Sequence, residues 1–136
     1  MKYLIGAVFV LLTSSAMAGT SAGYGMGGQF SRFDPVVAEH NRTGELFRIQ
    51  GHCQSACTLF LGIRNVCVEP SAQLLFHAGH DLQRNIKAKP TNHMLAAYKP
   101  ALRQYLVSNH YMDTLAFHTM SGRELIDRFG YRACPR

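Results

Sequence analysis

Residues 51–80 read GHCQSACTLFLGIRNVCVEPSAQLLFHAGH and hold three of the chain's four cysteines. Short apolar runs follow one another here with very short connections. The preceding LFRIQGHC (46–53) alternates and is rich in aromatic and β-branched residues, which predicts a strand. SACTLFLGI is helix or strand by periodicity alone. NVCVEP reads as a short strand stopped by Pro70, and AQLLFHA as another that ends at His77. Strand, short helix, strand, strand predicts an α/β layer.

The flanks read as helical. Asp34 is placed as an N-cap with Pro35 at the first helical position, and Gly44 stops that helix. TNHMLAAYKPALRQYLVSNHYM carries an apolar stripe interrupted at Pro100, where the helix should kink or split. Ser121 and Glu124 form a capping box that opens a last short helix ending at Gly130. The expected fold is therefore α/β, a small sheet flanked by helices with a helical C-terminal region. Residues 19–136 make one domain.

The first eighteen residues read as a secretory signal. Lys2 precedes the apolar LIGAVFVLL, and Ala16-Met17-Ala18 is a small-x-small cleavage site. The run is too short to span a bilayer, so no stable membrane insertion is expected after cleavage. Localisation is expected to be periplasmic or secreted. Four cysteines in the remainder, Cys53, Cys57, Cys67 and Cys134, then predict two disulfides. Three pairings are open. Cys57 and Cys67 are placed to bridge across the site, and Cys134 to tie down the tail.

Without Lys2 there remain 13 Lys and Arg against 8 Asp and Glu, a net charge of +5. The cations are scattered, and only RNIKAK (84–89) is dense. A nucleic-acid binder would concentrate charge and interleave aromatics, so no nucleic-acid partner is expected.

Ser55 falls between a predicted strand and a predicted helix, so its hydroxyl should project at a sheet edge. As an isolated residue it is equally an ordinary N-cap. His77 ends an apolar strand and should reach the same edge. As an isolated residue it is a buried, hydrogen-bonded histidine. Together they have the composition of a nucleophile and its base. Gly27-Gly28 is either a flexible stretch or a turn that offers the Gly28 N–H as half of an oxyanion hole, with the Ala56 N–H as the other half.

These residues carry a resemblance. G-x-C-x-S-A-C-T, then Cys and Pro, then F-H-A resembles the small secreted relatives of the Clp protease proteolytic subunit, within the Clp/crotonase superfamily. The resemblance runs from about Gly27 to Gly79. It implies a Clp/crotonase-like sheet, Ser55 as nucleophile, His77 as base, and Gly28 and Ala56 as oxyanion donors. It implies a peptide or small acyl substrate, no cofactor, and leaves a homo-oligomer open. Gly-Met stands before the Gly-Gly turn where the family has Ser-Pro, and the long helical handle that stacks Clp rings is shortened or absent. The third triad member is expected at Asp127 by spacing, or at Asp81 by proximity. Asp127 falls inside a capped helix and Asp81 follows a Gly-His turn, so a Ser–His dyad supported by a backbone carbonyl or a polar side chain is favoured over a full triad.

Three other readings compete. Cys53-x₃-Cys57 with His77-x₂-His80 has zinc-ligand types, but oxidation of the thiols argues against a metal. A non-catalytic Clp/crotonase-like binding module of the cell envelope would keep the turn without a complete triad. A disulfide-rich structural protein would leave the Ser55 edge closed.

Overall fold

The computed structural model describes residues 8–10 and 19–136. Apart from residues 8–10, the expected leader lies outside them. The described chain is mixed α/β, with two three-stranded sheets and five helical segments.

The first sheet has the order β1-β2-β4, from β1 (Gly19–Thr20), β2 (Phe47–Ile49) and β4 (Val66–Val68), all parallel. The second has the order β3-β5-β6, from β3 (His52–Gln54), β5 (Gln73–Phe76) and β6 (His118–Ser121). β3 and β5 are parallel, and β6 runs antiparallel to β5. The single strand predicted over 46–53 is thus cut in two. Gly51, at φ 62°, turns the chain out of one sheet and into the next.

A 3₁₀ helix (Ser55–Gly62) follows β3, with Ala56 through Leu61 all buried. Its apolar residues need cover on every side. α1 (Phe30–Thr43) packs on it through Phe33, whose ring centroid lies 5.4 Å from that of Phe60, and Phe47 adds a third ring 4.5 Å from Phe60. α2 (Ala88–Ala97) approaches its end so closely that a Cβ at Gly62 would lie 3.2 Å from Ala97 Cβ. Burying three phenylalanines contributes about 1.5–3 kcal/mol each relative to exposure. These three rings anchor α1 against the 3₁₀ helix that begins at Ser55.

α1 begins earlier than its sequence suggests. It opens at Phe30, so Pro35 lies inside the helix and Asp34 caps nothing. Tertiary contacts outweigh the lost backbone hydrogen bond: Phe30 stacks on His93, Phe33 is fully buried, and the Asp34 carboxylate meets His93 Nε2 at 2.9 Å.

The C-terminal half is helical only in part. α2 stops before Pro100, and α3 (Pro100–Ser108) restarts there, as the proline requires. β6 then pairs with β5, burying Met120 opposite Leu74. α4 (Gly122–Phe129) opens on the expected capping box, with the Ser121 hydroxyl accepting from Glu124 N–H. The tail runs beside β4, and a Cys67–Cys134 disulfide fastens it.

Candidate functional site

β3 and β5 are parallel, with Gln54 opposite Leu75. Both strands therefore release their next residues at one carboxyl-terminal edge, where crevices form in such sheets. Ser55 and His77 are those residues. Ser55 Oγ lies 2.7 Å from His77 Nε2. With Nε2 unprotonated, the serine hydroxyl donates to it.

Ser55 adopts φ 55°, a left-handed conformation. For an L-residue with a Cβ this costs about 1–2 kcal/mol, and it is held from several sides. Thr58 Oγ1 donates to the Ser55 carbonyl at 2.7 Å and meets the Tyr98 hydroxyl at 2.6 Å. Gln54 N–H donates to the Gly25 carbonyl. A Cys53–Cys57 disulfide bridges the residues on either side. The result is a sharp strand-to-helix turn that presents its apical side chain.

The glycine-rich N-terminal stretch is ordered against this turn. Gln54 Nε2 donates to the Met26 carbonyl at 3.0 Å, and Gly27 N–H donates to the Tyr24 carbonyl. A Cβ on Gly27 would come within 2.9 Å of the Gln54 carbonyl oxygen and 3.0 Å of Ser55 Cβ, with Ala56 N at 3.5 Å. Gly27 (φ 74°) and Gly28 (φ 136°) occupy conformations that only glycine adopts freely. The Gly-Gly turn thus sits beside Ser55 and Ala56. Gly28 N–H donates to no backbone carbonyl among the described residues. Ala56 N–H lies in the first turn of the 3₁₀ helix, where amide donors have no partner within the helix.

His77 is 6% exposed. Burial holds its imidazole below the ordinary histidine pKa of 6.5, and the nearby positive groups of His80 and Arg84 push the same way; the Ala78 backbone opposes them. The ring is therefore neutral and able to accept a proton near pH 7. The Phe117 ring packs edge-on against it, with centroids 5.1 Å apart, and His80 stacks at 5.7 Å. Its Nδ1 is buried and has no well-formed hydrogen-bond partner.

No carboxylate serves that atom. Asp127 is exposed on α4, which starts where Ser121 pairs with Gln73, at the end of β5 opposite His77. Helical continuation from the capping box carries it along α4, so sequence spacing alone does not bring it to the histidine. The Asp81 carboxylate is spent on its own turn: it accepts from the backbone N–H groups of Gln83 and Asn85 and from Asn85 Nδ2, and lies 3.8 Å from Lys87 Nζ. These hydrogen bonds hold its pKa below the ordinary carboxylate value.

The disulfides are Cys53–Cys57 and Cys67–Cys134, and no cysteine is free. The anticipated Cys57–Cys67 bridge does not form, because the turn at Ser55 folds Cys57 back to within 5.2 Å of Cys53, Cα to Cα. The sulfurs that a zinc site would need from Cys53 and Cys57 are consumed. Two disulfides are compatible with an oxidising, extracellular-type compartment. Among the described residues no helix is long and apolar enough to cross a membrane.

The pair opens into a cleft of about 1010 Å³ whose lining includes Gly28, Phe30, Met94, Leu115 and Phe117. The edge at Ser55 is thus open. Sequence reasoning passed over Thr58, Tyr98 and Gln54, which hold the turn. Only the three-residue spacing of Ser55 and Thr58 signals any of this, being the reach of a helical side chain back to a carbonyl.

No protein-family description, curated protein or solved structure matches this chain.

Proposed function

We propose that the protein is a serine hydrolase acting on a peptide or small acyl substrate, periplasmic or secreted, and a small relative of the Clp/crotonase superfamily. The observation that carries the reading is the 2.7 Å contact between Ser55 Oγ and His77 Nε2 at the mouth of an open cleft. The chain order of Gly-Gly turn, serine and histidine supports the kinship.

Ser55 Oγ attacks the substrate carbonyl carbon as its proton passes to His77 Nε2. The carbonyl oxygen becomes an oxyanion, and the N–H groups of Gly28 and Ala56 receive it. One such donor is worth about 2.7–4 kcal/mol of barrier. His77 returns the proton to the leaving group, and water then releases the acyl group by the same steps in reverse order. Imidazolium formation leaves Nδ1–H without a carboxylate to accept it, so the dyad is a slow catalyst beside a full triad.

Hydrolysis of activated acyl esters and of short peptides by the protein and by Ser55→Ala tests this. Turnover lost in the variant supports the proposal, and equal rates in both refute it. The unpaired Nδ1 favours a second reading, a non-catalytic binding module of the envelope that retains the turn and cleft. That reading predicts saturable peptide binding with no turnover in either protein.

A further inference from the structure

We propose that Cys53 and Cys57 are positioning residues for Ser55, so that the site becomes competent only once their disulfide has formed. The inference rests on the hydrolytic reading of Ser55 and His77.

Cys53 precedes Ser55 by two residues in β3, and Cys57 follows it by two in the 3₁₀ helix. The bridge therefore spans the one turn whose apex is Ser55, and that apex holds a left-handed φ of 55°. Both cysteines are fully buried. Their sulfurs reach neither solvent nor substrate, so any effect on chemistry passes through the turn.

A purely stabilising role fits this bridge poorly. A crosslink that acts on the unfolded chain gains with the length of loop it closes. Cys67–Cys134 joins residues 67 apart, whereas Cys53–Cys57 joins residues four apart. The short bridge removes little freedom from the unfolded chain. What it removes is freedom of the residues around Ser55. A thiol pair would leave the turn to hydrogen bonds, chiefly those of Thr58 and of Gln54 with Gly25 and Met26. Serine would then relax toward the commoner negative φ, carrying Oγ away from His77 Nε2.

Formation of the bridge is an ordinary exchange. Two electrons and two protons pass from the Cys53 and Cys57 thiols to the disulfide of a thiol–disulfide oxidoreductase, which leaves as a dithiol. A chain still in a reducing compartment would hold the dithiol form and an unformed site.

The test compares Cys53→Ala/Cys57→Ala with Cys67→Ala/Cys134→Ala and the parent. A fluorophosphonate labelling rate, a thermal unfolding midpoint and the Ser55 Cα and Cβ chemical shifts are measured for each. The short-bridge variant should stay folded, lose about tenfold or more in labelling rate, as small misplacements of reacting groups do, and move the Ser55 shifts out of the left-handed range. The long-bridge variant should lose thermal stability and, while folded, keep both labelling rate and shifts. If the alanine pair does not fold, Cys53→Val/Cys57→Ala refills the core and serves instead. A folded short-bridge variant with parental labelling and left-handed Ser55 overturns the proposal. If the parent itself does not label, the hydrolytic reading fails, and the shifts alone decide whether the bridge sets the turn.

Discussion

His77 Nε2 receives the Ser55 hydroxyl at 2.7 Å, while Nδ1 of the same ring lies buried without a hydrogen-bond partner. On the proposed reading, Nε2 takes the serine proton, while Nδ1 lacks the carboxylate that would steady the imidazolium. That asymmetry sets the expectations below.

The pH dependence follows from burial of His77. Because its folded pKa lies below 6.5, the neutral base survives into mildly acidic solution. The acid limb of kcat/KM should therefore have its midpoint below 6.5. The folded state also binds fewer protons than the unfolded chain between the depressed pKa and the ordinary one. Its stability thus falls as pH drops below the ordinary value, and levels off once pH passes the folded pKa. A pH–rate profile with its acid limb above 6.5 would contradict the assignment of His77 as base.

Asp127→Asn and Asp81→Asn should hydrolyse esters at rates within about twofold of the parent, since neither carboxylate meets His77 Nδ1. Asp127 is exposed on α4, and Asp81, although it lines the cleft, is committed to its own turn. A loss of orders of magnitude in either folded variant would reveal a triad that forms only with substrate.

Gly28→Ala keeps the N–H donor but asks an L-residue to hold φ 136°. Space is not the obstacle, since the new Cβ would meet only Phe33 Cε2, at 3.9 Å. The turn should shift to relieve the strain and withdraw the donor. We expect kcat to fall about 10²-fold with KM little changed, the signature of a lost oxyanion contact. Steady-state kinetics on an activated ester measures both.

Thr58→Val removes the hydroxyl between the Ser55 carbonyl and the Tyr98 hydroxyl and strands the latter, which is buried. Burial already pushes the Tyr98 hydroxyl far above its ordinary pKa, so it remains a neutral donor at any physiological pH. Leaving a buried hydroxyl unpaired costs about 1–3 kcal/mol. Tyr98→Phe in the same background should recover part of that loss, giving a non-additive double-mutant cycle by chemical denaturation.

The meeting of Ser55 and His77 was more legible than the fold around them. Ser55 and His77 each follow a strand, and two parallel strands place the residues beyond their ends together. The capping box at Ser121 is purely local chemistry and could be read as such. The division into two sheets could not, because one glycine inside an alternating run looks like a weak point rather than a crossing between layers. β6 escaped notice because His118-Thr-Met-Ser121 has one buried apolar residue and takes its register from β5. The start of α1 depends on Phe33 finding Phe60, a contact remote in sequence. Asp127 shows the limit of spacing as a guide. Fifty residues of chain separate it from His77, and the pairing of β6 with β5 decides where α4 starts.

Intact-mass analysis of the protein after treatment with a fluorophosphonate tests the central claim most directly. The account predicts one adduct per chain, mapped by peptide sequencing to Ser55, lost in Ser55→Ala and strongly slowed in folded His77→Ala. A folded parent that takes up no adduct, or one that takes it up at another residue while Ser55→Ala labels equally, would contradict it.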